Sequence, residues 1–211
     1  MADANLPFIR NLASSASSQS SSQSSSSAGA VHPDCADAWM SAFWQVHAAE
    51  WTTGIDVLRM EKFLLLVRRF LCASFSWVRA SAYDPARARA LLSVLADWPL
   101  TTDRGLDAVP LGLRLHVLDV WVDELERAGV LADAAGGDDE NDETSPVDPA
   151  KATALVDSVG ALVRILTKDV PSKPLRTKAS NSLDDERLPW YKAPNAADEE
   201  GDDDGWAGFQ D

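Results

Sequence analysis

The chain has 211 residues, of which 45% are hydrophobic and 25% are charged, values that suit one folded domain with flanking segments. Its formal net charge of -14 repels phosphates, which argues against a protein that wraps naked nucleic acid through its overall field. The two cysteines lack the spacing of a zinc site, and no run of about 18 apolar residues is available for a membrane span, so a soluble intracellular protein is expected.

Residues 1–33 are predicted to form an N-terminal stub followed by a disordered linker. The stub, residues 1–13, is short and amphipathic, whereas residues 14–30 are nearly all Ser, Gln, Ala and Gly. Such a tract cannot bury enough apolar surface to offset the entropy lost on ordering, so it should stay flexible.

A helical body is predicted for residues 34–170, and its first helix begins near Pro33. Apolar side chains recur in this helix at i, i+4 and i+7, namely Trp39, Phe43 and Val46. A second helix is expected from about Ile55 to Trp77. Its centre, Phe63 to Val67, is apolar on all sides, which predicts that this stretch is buried between neighbouring helices.

Three further helices have recognisable starts. Asp84-Pro85 and Asp148-Pro149 each place Asp at the N-cap and Pro at the first helical position, which predicts the third and fifth helices. Pro110 opens the fourth helix. The apolar stripe of this fourth helix consists of Leu111, Leu115, Leu118, Val122 and Leu125.

The ends of the body are marked by glycine and by acidic runs. Gly129 is the expected C-cap of the fourth helix, and an acidic loop of about residues 132–148 follows it. From Pro171 onward Pro, Ser, Asn and acidic residues dominate, so residues 171–211 are predicted to be a disordered acidic tail. Five helices without a credible strand predict an all-α fold of stacked helical pairs.

Two apolar clusters interrupt the predicted tail, Leu188-Pro189-Trp190-Tyr191 and Trp206-Ala207-Gly208-Phe209. Each cluster could dock weakly onto the helical body or could serve as a short linear motif for a partner. We favour docking, because isolated apolar residues near a core pack against it more often than they bind partners.

No motif of a catalytic centre is present: the sequence lacks a Walker-type loop, a GxGxxG motif and a nucleophile elbow. The nearest cluster lies on the fourth helix, where His116, Asp119 and Asp123 share a face and Glu124 is close by. A metal site would need further ligands from a second helix, and none offers a His. A solvated or partner-facing polar face is therefore favoured, and no cofactor or small-molecule substrate is expected.

The second helix carries four cations within eleven residues, Arg59, Lys62, Arg68 and Arg69. They could pair within the protein, because Asp56 precedes Arg59 by three residues and the fourth helix offers Asp123 or Glu124. They could instead form a patch for rRNA phosphates or for an acidic partner surface. We favour internal pairing for some of them.

Two blocks of sequence resemble the ribosomal RNA processing protein 1 family and together cover roughly residues 38–128. In the first block a Phe-Trp pair and a later Trp precede Gly-Ile-Asp, an Arg, a Lys-Phe pair and an Arg-Arg pair. The matching positions are Phe43, Trp44, Trp51, Gly54, Ile55, Asp56, Arg59, Lys62, Phe63, Arg68 and Arg69. The second block has the pattern Gly-x-x-x-His-x-x-Asp followed by Asp-Glu-Leu-Glu, at Gly112, His116, Asp119, Asp123, Glu124, Leu125 and Glu126.

The resemblance implies a HEAT- or armadillo-like helical-repeat fold, a location in the nucleus and nucleolus, and a role in rRNA processing. Family members join pre-ribosomal particles and have no known catalytic centre, so the expected partners are proteins of these particles and pre-rRNA. The candidate contact residues are Arg59, Lys62, Arg68, Arg69, His116, Asp119, Asp123 and Glu124.

The chain departs from the family in one respect. Family members carry further helices ahead of the Phe-Trp block, whereas here the Ser-rich tract stands in that place. Because helical repeats rely on neighbours to cover their apolar faces, one side of the Trp39–His47 helix is expected to be exposed.

Two other functions stay open. One is an acidic helical adaptor or chaperone for basic proteins, acting through residues 136–143 and the tail. The other is a metal enzyme or small hydrolase acting through His116 and Asp119.

Overall fold

The computed structural model describes residues 35–136 and 148–192, and within these residues the chain is helical and contains no strand. This confirms the predicted all-α class, whereas the predicted Ser-rich linker lies outside the described residues. A 3-10 turn and seven α-helices are present there: the turn Val57–Arg59, α1 Ala36–Glu50, α2 Met60–Arg79, α3 Pro85–Asp97, α4 Leu111–Arg127, α5 Val130–Ala134, α6 Pro149–Leu166 and α7 Lys173–Leu183. In the part of the chain that the structure describes, every helix is too short or too polar to cross a bilayer.

Aspartate side chains begin three of these elements. The Asp84 carboxylate accepts hydrogen bonds from the N–H groups at the start of α3, and Asp148 does the same for α6, as their Asp-Pro sequences predict. Asp56 caps the 3-10 turn by accepting from the Leu58 N–H at 2.9 Å. Because this turn comes first, α2 begins at Met60 and not near Ile55.

The central helix of the body is α4, which packs against α2, α5 and α7. Leu118, Val122 and Leu125 of the predicted stripe are buried, and so are Val117 and Trp121 on other sides of the helix. The remaining helices complete the core, because α6 packs against both α5 and α7 while α3 contacts α1 and α2. The helix that is covered nearly all round is therefore α4.

The prediction that the Phe63–Val67 stretch of α2 is buried between neighbours was wrong. Of these five residues Val67 is buried, whereas the exposed fractions of Leu65 and Leu66 are 43% and 42%. The α4, α3 and α5 helices contact α2, and aromatic rings of α1 contact Phe63 and Phe70, but the side chains of Leu65 and Leu66 stay partly open to solvent. An apolar sequence shows that a face can be buried, but only the arrangement of neighbours decides whether it is.

The fourth helix ends close to the predicted C-cap Gly129: its last residue is Arg127, its C-cap is Ala128, and Gly129 follows directly. This residue has a φ of +78°, and its N–H donates to the Glu126 carbonyl at 2.9 Å. Only glycine adopts this left-handed backbone without strain. A Cβ at this position would lie 3.1 Å from the Arg79 guanidinium, a tight contact that the Arg79 side chain would have to relieve by shifting.

The predicted loop after Gly129 begins with a helix instead, α5, and Asp133 within it is firmly held. Its carboxylate accepts hydrogen bonds from Arg79 Nε at 2.7 Å and from the Tyr83 hydroxyl at 2.6 Å. Burial alone would raise the pKa of Asp133, but these hydrogen bonds lower it below its ordinary value. The expected acidic loop is thus ordered up to Gly136, and residues 137–147 lie outside the described residues.

The prediction of a disordered tail from Pro171 onward was wrong for its first part. Residues 173–183 form α7, whose Leu175 and Ala179 are fully buried against α4 and α6. Beyond α7 the Trp190 ring lies over Gly160, where a Cβ would come within 2.3 Å of the ring. The docking of the first apolar cluster is therefore confirmed, whereas the second cluster lies outside the described residues.

Replacement of Trp190 by Ala is expected to lower the free energy of unfolding by about 2 kcal/mol, since it removes a half-buried ring and leaves a gap over Gly160. The ring also stacks on Arg164 at 4.1 Å, and its Nε1–H donates to the Leu183 carbonyl. Urea unfolding of the full chain measures the change. The neighbouring Tyr191→Ala, at an exposed aromatic residue, serves as the control and should change stability by less than about 0.5 kcal/mol.

Replacement of Asp133 by Asn is expected to cost about 2 kcal/mol at neutral pH, because it removes the charge that Arg79 and Tyr83 bind. A carboxyl whose pKa is lowered on folding stabilises the protein above its unfolded pKa, near 3.9, and loses that contribution as pH falls. The difference between the two proteins should therefore shrink below about pH 4. Urea unfolding at several pH values checks this, with the exposed Asp157→Asn as control; an equal difference at pH 7 and pH 3 would contradict it.

Candidate functional site

The contact between α2 and α4 is built around a buried carboxylate. Glu124 has no solvent-exposed side-chain surface, and its Oε1 accepts a hydrogen bond from Arg68 Nε at 2.5 Å. Arg68 Nη2 also donates to Asp123 at 3.2 Å, and Arg127 Nε lies 3.7 Å from the second Glu124 oxygen. The hydrogen bond with Glu124 raises the pKa of the Arg68 guanidinium. Arg68 is thus an internal partner, as the pairing interpretation of the basic set predicts.

The polar residues of α4 face neighbouring elements of the protein. His116 is half-buried, and its Nε2–H donates to the Leu64 carbonyl at 3.0 Å, while burial lowers the pKa of its ring. Asp119 forms an ion pair with Lys178 of α7. Asp123 lies between Arg68 and Arg187. These partners leave no shared opening in which His116 and the two carboxylates could hold a metal ion.

Arg187 joins the segment after α7 to α4 and was not singled out in the sequence. Its guanidinium binds Asp123 at 2.9 Å, Glu126 at 2.6 Å and Asp185 at 2.6 Å. The hydrogen bonds that Arg187 donates to the Asp185 carboxylate are the main reason that the pKa of Arg187 is raised. In the sequence Arg187 follows the acidic run Asp184-Asp185-Glu186. That run favoured a disordered tail, so the sequence did not indicate that Arg187 has three carboxylate partners.

The other three cations of the basic set are exposed. Within the described residues no carboxylate lies within 4 Å of Arg59, Lys62 or Arg69. The Asp56 carboxylate, the expected partner of Arg59, instead caps the 3-10 turn. The basic set is therefore divided, with Arg68 turned towards the core and the other three cations towards solvent.

Exposed apolar side chains surround these three cations. On α1 the exposed fractions of Trp39 and Val46 are 54% and 59%, so the expected exposure of one side of this helix is confirmed. The α1 stripe runs along α2, because Phe43 of α1 stacks on Phe70 with ring centroids 3.5 Å apart. We call the combined surface the open face and define it as Trp39, Val46, Leu58, Arg59, Lys62, Leu65, Leu66 and Arg69.

The open face has the features of a docking surface. Leu58, Lys62, Leu65 and Arg69 follow one another at about helical spacing, so apolar and positive groups alternate from the 3-10 turn into α2. Next to this row a shallow cleft of about 500 Å³ is lined by Arg59, Lys62, Phe63 and Leu66. Exposed apolar patches rimmed by polar groups mark interaction sites in soluble proteins.

The described part of the chain lacks a cluster of metal-ligating side chains. Within residues 35–136 and 148–192, no three His, Cys, Asp or Glu side chains are grouped so that they could hold a metal ion. The chemistry that the open face offers is the burial of apolar surface together with attraction of negative charge.

The fold and the open face together define an all-helical protein with a surface of the kind used for binding. The family model of the nucleolar protein Nop52 matches residues 7–207, and the chain belongs to this family. The match confirms the resemblance to the ribosomal RNA processing protein 1 family and, with it, the nucleolar assignment.

Several relatives carry that name, and two of them illustrate the match. The mouse ribosomal RNA processing protein 1 homolog A is 36% identical over 90 residues, which are 43% of this chain and 17% of the relative. The human ribosomal RNA processing protein 1 homolog B is 34% identical over 97 residues, which are 44% of this chain and 12% of the relative. The match thus spans under a fifth of the length of either relative.

The two sequence blocks on which the resemblance rests meet in space. Arg68 of the first block binds Asp123 and Glu124 of the second, and the Leu64 carbonyl accepts from His116. Gly112 leaves room for Trp51, since a Cβ there would lie 3.0 Å from the indole nitrogen. Much of the family pattern therefore describes the α2–α4 contact.

Replacement of Arg68 by Met is expected to destabilise the chain by about 3 kcal/mol, because Glu124 would keep a buried charge without its main partner. The adjacent Arg69→Met is the matched control and should have little effect, since Arg69 is exposed. The double variant Arg68→Met/Glu124→Leu should recover much of the loss. Denaturant unfolding distinguishes these outcomes, and equal effects at residues 68 and 69 would refute the division of the basic set.

Proposed function

We propose that the chain is a non-enzymatic factor of ribosome biogenesis that acts in rRNA processing as part of pre-ribosomal particles. Membership of a nucleolar family and the names of the relatives support this role. The observation that carries the docking part of the proposal is the open face, where three cations without a described partner lie among exposed apolar side chains.

The body is proposed to be a HEAT- or armadillo-like helical-repeat unit. In such arrays each helical pair covers the apolar face of the next pair. The exposed side of α1, with Trp39 and Val46, lies where an additional helical pair would pack. A protein of the pre-ribosomal particle could supply that cover.

The preferred partner is a protein surface with acidic and apolar groups, and pre-rRNA is the second candidate. Most of the exposed apolar side chains of the open face are aliphatic, which suits packing against another protein more than stacking on bases. With a formal net charge of -14, the whole chain repels phosphates, so any contact with RNA is confined to this local positive region.

The charge-reversal variant Arg59→Glu/Lys62→Glu is expected to abolish co-migration with pre-ribosomal particles while leaving the fold intact. Both side chains are exposed, so their replacement should change stability by less than about 0.5 kcal/mol. The measurement is sucrose-gradient sedimentation of the tagged chain, with precursor rRNA followed across the fractions.

The matched control for that experiment is Arg89→Glu/Lys151→Glu, which reverses two exposed charges away from the open face. The control should sediment like the unchanged chain. Unchanged sedimentation of the Arg59→Glu/Lys62→Glu variant would show that the open face is not the contact. Migration of the unchanged chain only at the top of the gradient would favour the acidic adaptor for basic proteins, which the net charge also suits.

A further inference from the structure

The sequence that follows the last described residue, Lys192, complements the open face in charge and in apolar content. Residues 193–211 contain seven acidic residues and no Lys or Arg. The acidic residues are mainly in two runs, 198–200 and 202–204, and Trp206 and Phe209 come two and five residues after the second run. An acidic segment that ends in two aromatic residues has the opposite charge to the open face and carries apolar groups for its exposed apolar side chains.

The described chain passes near α2 at Arg187 and then reaches α6, where Trp190 lies over Gly160 and Arg164. Arg187 and Arg68 bind the same carboxylate, Asp123, so the segment after α7 lies beside the middle of α2. The burial of Leu188 and the contact of Trp190 with Gly160 hold this segment on the body just before the acidic sequence begins.

The length of the remaining chain is sufficient to reach the open face. A compact body of roughly 150 residues has a radius of gyration of about 15 Å, so points on its opposite sides are about 40 Å apart. The 14 residues from Lys192 to Trp206 can span at most about 46–50 Å. A short tether gives an effective concentration in the millimolar range, so a contact is populated when its dissociation constant lies below that range.

We infer that residues 198–209 bind the open face of their own chain. The acidic runs lie against Arg59, Lys62 and Arg69, while Trp206 and Phe209 cover apolar surface around Leu66 and Trp39. Charge and apolar burial act together, since surface ion pairs alone contribute little. Elsewhere in the described residues, exposed apolar groups such as Leu106 lack such a row of cations without a carboxylate partner.

If the proposed function holds, this contact competes with partner binding. A pre-ribosomal partner that uses the open face must displace the acidic segment, so the segment selects for partners that bind the face more strongly than it does. The contact itself requires no partner and can be tested on the purified chain.

The test places a spin label within the acidic segment of the full chain. Cys35→Ser and Cys72→Ala remove the native thiols, and Ala207→Cys provides the attachment point between the two aromatic residues. Isotope-labelled protein then reports, through paramagnetic loss of NMR signal, which residues come near the label. We expect signal loss at the backbone amides of Lys62, Leu66 and their neighbours on α1.

Two variants test the basis of the contact. Arg59→Glu/Lys62→Glu should restore the lost signals, and Trp206→Ala/Phe209→Ala should restore them in part. The control Arg89→Glu/Lys151→Glu should leave the signal loss unchanged. Raising the salt concentration should weaken the contact, since exposed charges are screened over about 10 Å at 0.1 M.

Three results would overturn the inference. The first is the absence of signal loss from the open face, and the second is signal loss centred on another surface. The third is signal loss of the same strength when the spin label and the isotope label are carried by different molecules in a mixed sample, which would identify a second copy as the occupant. Because the experiment uses purified protein, its failure is distinct from a failure of co-sedimentation with pre-ribosomal particles.

Discussion

The ion pair between Glu124 and Arg68 is the constraint on which the arrangement of this protein depends. A carboxylate without exposed surface in a helical core is tolerated only when a cation and hydrogen bonds offset its loss of hydration. Arg68 supplies both from α2, so this ion pair sets how α2 is rotated against α4. Successive residues of a helix are about 100° apart, so Arg69 must then point away from α4. The placement of the exposed cations therefore follows from the neutralisation of one buried charge.

The same constraint explains why the α4 cluster resembles a functional site in sequence. His116, Asp119, Asp123 and Glu124 share a face because that face contacts α2, α7 and Arg187. Polar side chains at a helix-helix contact need hydrogen-bond or ionic partners, as catalytic side chains do. The spacing of polar residues along a helix therefore does not distinguish a packing contact from a catalytic site. Conversely, the surface that suits binding contains Leu58, Leu65 and Leu66, whose side chains resemble core residues in the sequence.

Charge is distributed unevenly over the protein, and this unevenness matters more than its net charge of -14. Several of the described carboxylates form ion pairs within the body. Asp123, Glu124 and Glu126 pair with Arg68 or Arg187, and Asp133 pairs with Arg79. The open face keeps its cations exposed within an otherwise acidic chain. A local positive surface of this kind attracts negative segments selectively, whether they belong to a partner or to the acidic sequence after Lys192.

Local sequence determined the features that depend on neighbouring residues along the chain. The Asp-Pro starts of α3 and α6, the glycine that ends α4 and the apolar spacing of α1 and α4 are readable because caps and helical periodicity involve contacts within a few residues. The tertiary structure decided which apolar face is covered, which of the adjacent Arg68 and Arg69 points inward, and that residues 173–183 fold onto the body. These outcomes depend on contacts between residues more than fifty positions apart, such as Arg68 with Glu124 and Arg187 with Asp123. A helical pattern specifies a face, but the partner of that face is specified only when the whole chain has packed.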